Sequence, residues 1–351
     1  MNAAILYVVP TFNRAGDMAR TLGAIAAQDW PDALKSILVI DNSSTDNTSA
    51  VLAELAQTLP CRMEHLRKAP EGPTVARNIG LRRGAASASL VALVDSDVEL
   101  DPGWTRATVA ALEADPGLAQ VGGKLVFGHD PAVLNSYGGV SGFLGLAWDR
   151  GEGGDAADET APRDALWINT AAVMLRPGPA LAVGGFDEAF FYGYEEPDLG
   201  LRLAIAGWRA RVVPDAVALH HAGVRVVAGH PELVFHYTKN RIRMGLKCWA
   251  PPLLAGFAAL NLLYGLADAL LHAPRRARMR ALWWNVIHLR DTWRHRRLAQ
   301  AARTVPDNVP RALLSPHWLP PTRLRGHRRR LVRGSVFGAG TDDRLPADGK
   351  P

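Results

Sequence analysis

One short apolar segment, Leu90–Val94, ends in two aspartates and limits the folds that this chain can adopt. Five apolar residues without alternation are typical of a strand that is buried on both faces, as in a parallel sheet. Asp95 and Asp97 follow at the carboxyl end of this strand, where open α/β folds bind their ligands. Residues i and i+2 of an extended chain point the same way, so both carboxylates can face one site.

The two aspartates alone admit two interpretations. Asp and Ser are common turn residues, so Asp95-Ser96-Asp97 can be an ordinary acidic turn. Two carboxylates with few other fixed ligands also suit a hexacoordinate Mg²⁺ or Mn²⁺ that is shared with substrate phosphates. The rest of the chain has to decide between them.

Strand-like and helix-like segments alternate through the first part of the chain. Strands are predicted at 5–9 and 36–40, and each is followed by a predicted helix, at 18–27 and 48–59. Successive strand–helix units predict a parallel sheet with right-handed crossovers. Further helices are predicted at 75–84, 102–114 and 195–207, and further strands at 167–175 and 211–214. The predicted fold class is therefore α/β, with a mostly parallel, Rossmann-like sheet flanked by helices.

Composition and missing motifs exclude several classes of protein. Cys61 and Cys248 are the only cysteines, which excludes a disulfide framework and a cysteine-rich zinc site. The first residues lack a signal-peptide pattern, so a cytoplasmic location is expected. Neither G-x-G-x-x-G nor G-x-x-x-x-G-K-[ST] follows a predicted strand, which disfavours dinucleotide and P-loop sites. A phosphate group would have to be held by a metal ion and side chains.

A second acidic group, Glu195, Glu196 and Asp198, lies at the predicted start of a helix. Acidic residues at a helix N-terminus complement the helix dipole and can cap the helix, which is a purely structural role. Three acids beside the aromatic segment 190–194 exceed what capping requires, which favours a functional role.

Five segments in order carry further information: 8–14, 39–46, 72–78, 95–97 and 185–202. Each is a weak signal alone, but together they resemble the motifs of family 2 glycosyltransferases. The resemblance extends from about residue 4 to residue 245. Within this family, the chain resembles bacterial rhamnosyltransferase-like enzymes. It implies a GT-A fold and transfer of a sugar from a nucleotide-diphosphate donor.

The resemblance also implies roles for individual residues. The implied donor-binding residues are Pro10, Thr11, Arg14, Asp41, Arg77 and Asp95. Asp95 and Asp97 would hold Mg²⁺ or Mn²⁺ on the diphosphate, with His220 as a further ligand. Glu196 would be the general base, in a catalytic group with Glu195 and Asp198. Because the family commonly has Glu-Asp where this chain has Glu195-Glu196, the choice between these two glutamates stays open.

The C-terminal part of the chain is strongly basic. Residues 239–333 contain 20 lysines and arginines against three aspartates, within a chain of net charge +6. The segment 253–271 would form an apolar helix roughly 28 Å long, near the thickness of a bilayer core. Asn261 and Asp268 disfavour a full span, so a helix lying in the membrane interface is expected, next to Trp and Arg residues that suit anionic lipid. Whether this segment spans, lies on or avoids the membrane is left open.

The predicted domains are a GT-A catalytic domain at 1–245, a basic helical region at 246–333 and a disordered tail at 334–351. The predicted function is metal-assisted, inverting transfer of a sugar to a hydroxyl of a cell-surface or lipid-linked glycan, at the inner face of the cell membrane. One alternative is an inactive protein that binds sugar nucleotides or glycans. An ordinary solvated helical subdomain and a nucleic-acid binder are alternatives for the basic region. The donor sugar, the nucleotide base, the acceptor, the linkage and the oligomeric state are not specified by the sequence.

Overall fold

The structure is a computed structural model that describes residues 3–221 and 229–317. The tail at 334–351 and the last basic residues of the helical region lie outside the described residues. The strands are β1 (Ile5–Thr11), β2 (Lys35–Asp41), β3 (Arg62–Arg67), β4 (Leu90–Val94), β5 (Val98–Leu100), β6 (Leu118–Phe127), β7 (Asp130–Ser136), β8 (Gly139–Ser141), β9 (Ala147–Asp149), β10 (Arg163–Ala165), β11 (Ala172–Leu175) and β12 (Arg209–His220). The helices are α1 (Ala15–Ala26), α2 (Thr48–Thr58), α3 (Pro73–Ser87), α4 (Trp104–Ala114), α5 (Pro177–Ala182), α6 (Glu195–Ile205), α7 (Pro231–Cys248), α8 (Pro251–Leu271), α9 (Arg275–Ile287), α10 (Leu289–Ala301) and α11 (Asn308–Arg311).

A ten-stranded sheet organises these elements. Its main strands run in the order β10-β12-β6-β11-β4-β1-β2-β3, and β5 and β7 pair with β12 and β6. Strands β4, β1, β2 and β3 are mutually parallel, and β6 is parallel to β12, whereas β11 is antiparallel to both of its neighbours. The predicted α/β class is therefore confirmed, with a parallel part formed by β4, β1, β2 and β3 and a mixed part beyond β4.

The central strands are buried on both faces because helices cover each side of the sheet. Alternate residues of β1 contribute to two cores: Tyr7 and Val9 pack towards α1 and α4, and Leu6 and Val8 pack towards α3 and α6. Helix α3 approaches the sheet closely, since a Cβ at Gly84 would lie 2.1 Å from Val91 Cγ2. This close packing sets the position of α3 relative to β4, and therefore of the first turn of α3 relative to the carboxyl end of β4.

Two strand predictions differ from the structure for identifiable reasons. Strand β3, with the sequence RMEHLR, was not predicted because it lies at the edge of the sheet and its polar side chains stay partly exposed. The predicted strand 167–175 is shorter than expected, because only Ala172–Leu175 pairs with β4 and β6. The residues before it, 167–171, instead form an irregular segment at the site edge of the sheet.

Helices α7 to α10, called here the basic helices, pack on one another and on the sheet domain. Helix α7 contacts α8, α9 and α10 as well as α6. The predicted domain boundary after residue 245 falls within α7, which runs unbroken to Cys248. Asn261 of α8 is buried and Asp268 is paired with Arg278 of α9, so the two polar residues of this apolar helix face its neighbours. Among the described residues, α8 is the one helix long and apolar enough to cross a bilayer, which by itself is weak evidence of a span.

Candidate active site

The site lies at the carboxyl end of β4, where strand pairing brings together three side chains that could bind a metal ion. Strand β5 runs antiparallel to β12 with Val98 opposite His220, which places His220 beside Asp97. His220 Nε2 lies 3.4 Å from Asp97 Oδ1. Ligand atoms of Asp95, Asp97 and His220 all lie within 4.8 Å of one another. No periodic pattern in the sequence predicts this position of His220, because the contact depends on a strand of only three residues.

Asn135 determines which nitrogen of His220 faces the aspartates. Asn135 Oδ1 lies 2.8 Å from His220 Nδ1, so the amide carbonyl accepts the proton of Nδ1. The lone pair of neutral Nε2 then points at a carboxylate oxygen, an arrangement that is stable only with a proton or a cation between them. Burial opposes the charged ring, but the hydrogen bond and negative charge of Asp97, with Asp95, raise the pKa of His220 above its ordinary value. This donor set fits a divalent cation.

Arg77 of α3 joins the two acidic groups that the sequence analysis singled out. Its guanidinium lies 3.0 Å from Asp95 Oδ1 and 3.0 Å from Glu195 Oε1. Burial opposes its charge, but the carboxylates of Asp95 and Glu195 raise the pKa of Arg77 above its ordinary value. The arginine therefore stays charged and holds the start of α6 next to the end of β4.

The two glutamates at the start of α6 have different surroundings. Glu195 is buried and bonded to Arg77, and burial together with the nearby Glu196 carboxylate raises the pKa of Glu195 to about 8. Glu196 is half-buried and accepts a 2.6 Å hydrogen bond from the Thr170 hydroxyl. Tyr194, immediately before them, has a left-handed φ of 71°, which is uncommon for a residue with a bulky side chain. Glu195 and Glu196 are successive residues of α6, so their side chains point in different directions.

Asp198, which was grouped with the catalytic acids, lies in the interior. Its side chain is fully buried, with Oδ2 2.6 Å from Arg202 Nη2 and Oδ1 2.7 Å from Lys247 Nζ. The structure does not bring Asp198 together with Glu196, Asp95 and Asp97 as a substrate-facing group. Its neighbours instead connect α6 to α7.

The predicted donor-binding residues at the front of the chain lie along the same edge of the sheet. Arg14 Nη2 is 3.4 Å from Asp97 Oδ2, which places Arg14 beside the metal-ligating group. Pro10 and Thr11 end β1, and the hydroxyl of Thr11 is buried without a hydrogen-bond partner in the described structure. Asp41, at the end of β2, is fully buried and accepts a 2.7 Å hydrogen bond from the Ser44 amide. These residues lie at or just beyond the carboxyl ends of β1 and β2, which neighbour each other in the sheet, and β1 also pairs with β4.

Four residues near the acids were not predicted as site residues: Asn135, Asp149, Asn169 and Thr170. All four lie in short strands or irregular segments, where no periodic pattern in the sequence marks them. Asn-Thr at 169–170 was read as part of a strand, and Asp149 follows Trp148 in a strand of three residues. Only the contacts between elements identify them.

Comparisons with known proteins agree with this geometry. Residues 7–137 match the family described as "Glycosyl transferase family 2". The N-acetylglucosaminyl-diphospho-decaprenol L-rhamnosyltransferase of Mycobacterium tuberculosis (strain CDC 1551 / Oshkosh) is 28% identical over 247 residues, covering 63% of this chain and 77% of that protein. Residues 7–137 are a glycosyltransferase family 2 region.

Other proteins to which this chain is similar are glycosyltransferases as well. A validoxylamine A glucosyltransferase of Streptomyces hygroscopicus subsp. jinggangensis is 30% identical over 220 residues, covering 57% of this chain and 51% of that protein. A mannosyltransferase from Pyrobaculum calidifontis, solved with GDP-Man and Mn²⁺, aligns with a TM-score of 0.52 at 18% identity, covering 86% of each chain. The fold is GT-A, and the chain is a nucleotide-sugar glycosyltransferase, as the sequence motifs predicted.

Proposed function

We propose that this glycosyltransferase catalyses metal-assisted, inverting transfer of a sugar from a nucleotide-diphosphate donor to a hydroxyl of a lipid-linked or cell-surface glycan. The observation that carries the proposal is Arg77, which joins the metal-ligating Asp95 to the acidic pair Glu195-Glu196. A cation site and a carboxylate base on the two sides of one opening are what direct displacement at an anomeric carbon needs.

Asp95, Asp97 and His220 would hold a divalent ion, Mg²⁺ or Mn²⁺. When bound, that ion would neutralise the charge of the leaving diphosphate, an effect worth several kcal/mol. Arg14, 3.4 Å from Asp97, is placed to contact the same anionic group. Pro10, Thr11 and Asp41 lie at the ends of neighbouring strands, where they would accommodate the nucleoside. Arg77 would contact the nucleotide side of the donor while it holds Glu195.

Glu196 is the proposed general base. It is more exposed than Glu195, and the hydroxyl of Thr170 orients it without adding a positive charge. Glu195 is committed to Arg77, so we assign it a positioning role. Glu196 would take the proton from the acceptor hydroxyl as that oxygen attacks the anomeric carbon. Because one base serves a single displacement, the product would have the inverted anomeric configuration.

Asp198 is proposed to be structural. Its two oxygens pair with Arg202 and Lys247 inside the protein, and its side chain is fully buried. It fixes α6 by its inner face while Glu196 faces the substrate.

The acceptor side of the proposal includes an anionic membrane surface. The GT-A domain of residues 1–245 is followed by the region 246–333, which contains α8, α9 and α10 and which we propose as the membrane-associating region. Leu263, Leu270 and Trp283, on α8 and α9, are each more than 60% exposed. Helices α9 and α10 also carry exposed arginines: Arg275, Arg276, Arg290, Arg294 and Arg297. Such a surface fits a peripheral enzyme at the inner face of the cell membrane, with a lipid-linked acceptor.

The test is release of a nucleoside diphosphate from a panel of nucleotide sugars in the presence of Mn²⁺. We expect one donor to be consumed, with consumption abolished by a chelator and restored by the metal. Glu196→Gln should lower kcat by about 10²–10⁴-fold with donor binding intact. Glu113→Gln, at an exposed position on α4, is the matched control. Wild-type turnover by Glu196→Gln, or product of retained configuration by NMR, would contradict the proposal.

A further inference from the structure

Asn169, Thr170 and Ala171 are consecutive residues between β10 and β11, and each forms a hydrogen bond with a different acidic residue. Asn169 Nδ2 donates a 3.3 Å hydrogen bond to Asp149 Oδ1, and Thr170 Oγ1 donates a 2.6 Å hydrogen bond to Glu196 Oε1. The carbonyl of Ala171 accepts a 3.0 Å hydrogen bond from the amide of Asp95. The segment 169–171 therefore places Asp149 in a fixed relation to both the proposed base and the metal-ligating group.

Asp149 lies at the end of the β8–β9 hairpin, which is held tightly on this segment. Gly139, opposite Asp149 in the hairpin, donates its amide to the carbonyl of Trp167 at 2.8 Å. A Cβ at Gly139 would lie 1.9 Å from the Trp167 ring, so only glycine permits this close packing. The carboxylate of Asp149 is thus supported by a rigid hairpin rather than by a free loop.

Hydrogen bonds place Asp149 close to both halves of the site. Its partner Asn169 precedes Thr170, which bonds Glu196, and Ala171, whose carbonyl bonds the amide of Asp95. Burial raises the pKa of Asp149 to about 6, with contributions from the Glu152 and Glu196 carboxylates. A half-buried carboxylate in this position is not required by the metal site or by base catalysis as described above.

We propose that Asp149 is a specificity-determining residue that binds ring hydroxyls of the donor sugar. This inference rests on the proposed function. The donor sugar is attached to the diphosphate at the Asp95–Asp97–His220 group, and its anomeric carbon is attacked by the hydroxyl that Glu196 deprotonates. The sugar ring therefore occupies the space between these groups, which is where Asp149 lies.

The chemistry of a carboxylate suits this role. An ionised carboxylate only accepts hydrogen bonds, and sugar hydroxyls are good donors, so Asp149 selects a donor by the positions of its hydroxyls. Hydrogen bonds to charged groups are stronger than those between neutral groups. A donor that lacks the matching hydroxyl would leave a half-buried charge without its partner, which gives strong discrimination.

The experiment compares wild type, Asp149→Asn and Asp149→Ala with the donor that the wild-type enzyme consumes. Titration calorimetry with Mn²⁺ measures the affinity for the nucleoside diphosphate alone and for the complete nucleotide sugar. We expect both variants to bind the nucleoside diphosphate within about twofold of wild type and to lose about 10–100-fold in kcat/KM for the nucleotide sugar, consistent with a charged hydrogen bond. Asp158→Asn, an exposed aspartate nearby, is the matched control and should match wild type in both measurements.

Donor analogues that each lack one ring hydroxyl distinguish donor binding by Asp149 from a purely structural role, because a structural role would not change the relative kcat/KM values of these analogues. In wild type, loss of one hydroxyl should cost about tenfold or more in kcat/KM, and in Asp149→Asn that same loss should cost little. If every deoxy donor is penalised equally in wild type and variant, the assignment of Asp149 is wrong while the proposed function stands. If wild type neither binds nor consumes any nucleotide sugar, the proposed function fails and the role of Asp149 fails with it.

Discussion

Lys247 Nζ lies 2.7 Å from Asp198 Oδ1, and this pair connects α7 to the helix that carries the proposed base. The same Nζ is 2.5 Å from Asp187 Oδ2, and Arg243 Nε is 2.8 Å from that oxygen. These side chains are almost fully buried, and Lys247 and Arg243 hold the pKa of Asp187 well below its ordinary value despite burial. The basic helices are therefore anchored to the catalytic domain by charges that have no access to water.

Replacement of Lys247 by Met should destabilise the protein strongly. The variant leaves two buried carboxylates with fewer cations, and breaking a buried ion pair on one side costs about 3–5 kcal/mol. Urea unfolding followed by circular dichroism measures the loss. Lys68→Met, at a partly exposed lysine paired only with Glu71, should change the free energy of unfolding by less than about 1 kcal/mol. Equal stability of the two variants would show that the network does not hold α6 to α7.

Asn135→Ala should weaken metal binding although Asn135 is not itself a proposed ligand. Without the Asn135 carbonyl, His220 loses the contact that keeps the proton on Nδ1 and turns Nε2 to the aspartates. Loss of such an outer contact typically costs about 10–100-fold in metal affinity. Titration of Mn²⁺ followed by electron paramagnetic resonance measures this, with Asn47→Ala at an exposed position as the control. Unchanged Mn²⁺ affinity would argue against His220 as a ligand.

Thr170→Val should lower kcat with little change in KM for the donor. The substitution keeps the volume of the side chain but removes the hydroxyl that orients Glu196 at 2.6 Å. Misplacement of a base reduces its contribution, so we expect kcat to fall about tenfold, less than for loss of the base itself. Steady-state kinetics with saturating donor separates the two parameters. A rise in donor KM at constant kcat would place Thr170 on the binding side of the reaction instead.

The sequence predicted those parts of the site that local patterns specify. Asp95 and Asp97 follow an uninterrupted apolar strand, and Glu195 and Glu196 begin an amphipathic helix, so both groups were marked by the elements they end or begin. Asp149 and Asn169 were not predicted, because only long-range contacts between segments without periodicity bring them near the site. Asp198 was predicted to be catalytic because its neighbours are acidic, and its buried partners Arg202 and Lys247 could not be predicted from spacing alone.

His236 should make the protein less stable in acid. Burial, with the positive charges of Lys239 and Arg280, lowers the pKa of His236 to about 4. Between pH 6.5 and 4 the unfolded chain binds a proton that the folded protein does not, so stability falls as the pH is lowered through this window. His236→Gln should lessen that fall by about 1–2 kcal/mol, allowing for partial exposure of the ring. Free energies of unfolding of both proteins at pH 7 and pH 5 test this, and parallel losses would contradict it.

Replacement of apolar residues on α8 and α9 should release the protein from anionic vesicles. Leu263 and Trp283 are 66% and 63% exposed, so the double variant Leu263→Asp/Trp283→Asp leaves the packed interior unchanged. Each of these large side chains contributes about 1.5–3 kcal/mol when it leaves water, so affinity for vesicles should fall more than 100-fold.

Cosedimentation with vesicles of phosphatidylglycerol and phosphatidylcholine measures this, and wild-type binding should weaken as salt rises, because arginines attract the anionic lipid. Val309→Asp, an exposed apolar position on α11 outside this surface, is the control and should bind as wild type does. Binding that survives the double variant would show that another part of the chain contacts the membrane. Absence of wild-type binding would leave the exposed face of α8 and α9 to a protein partner rather than to lipid, because apolar surface on this scale is rarely left uncovered in soluble proteins.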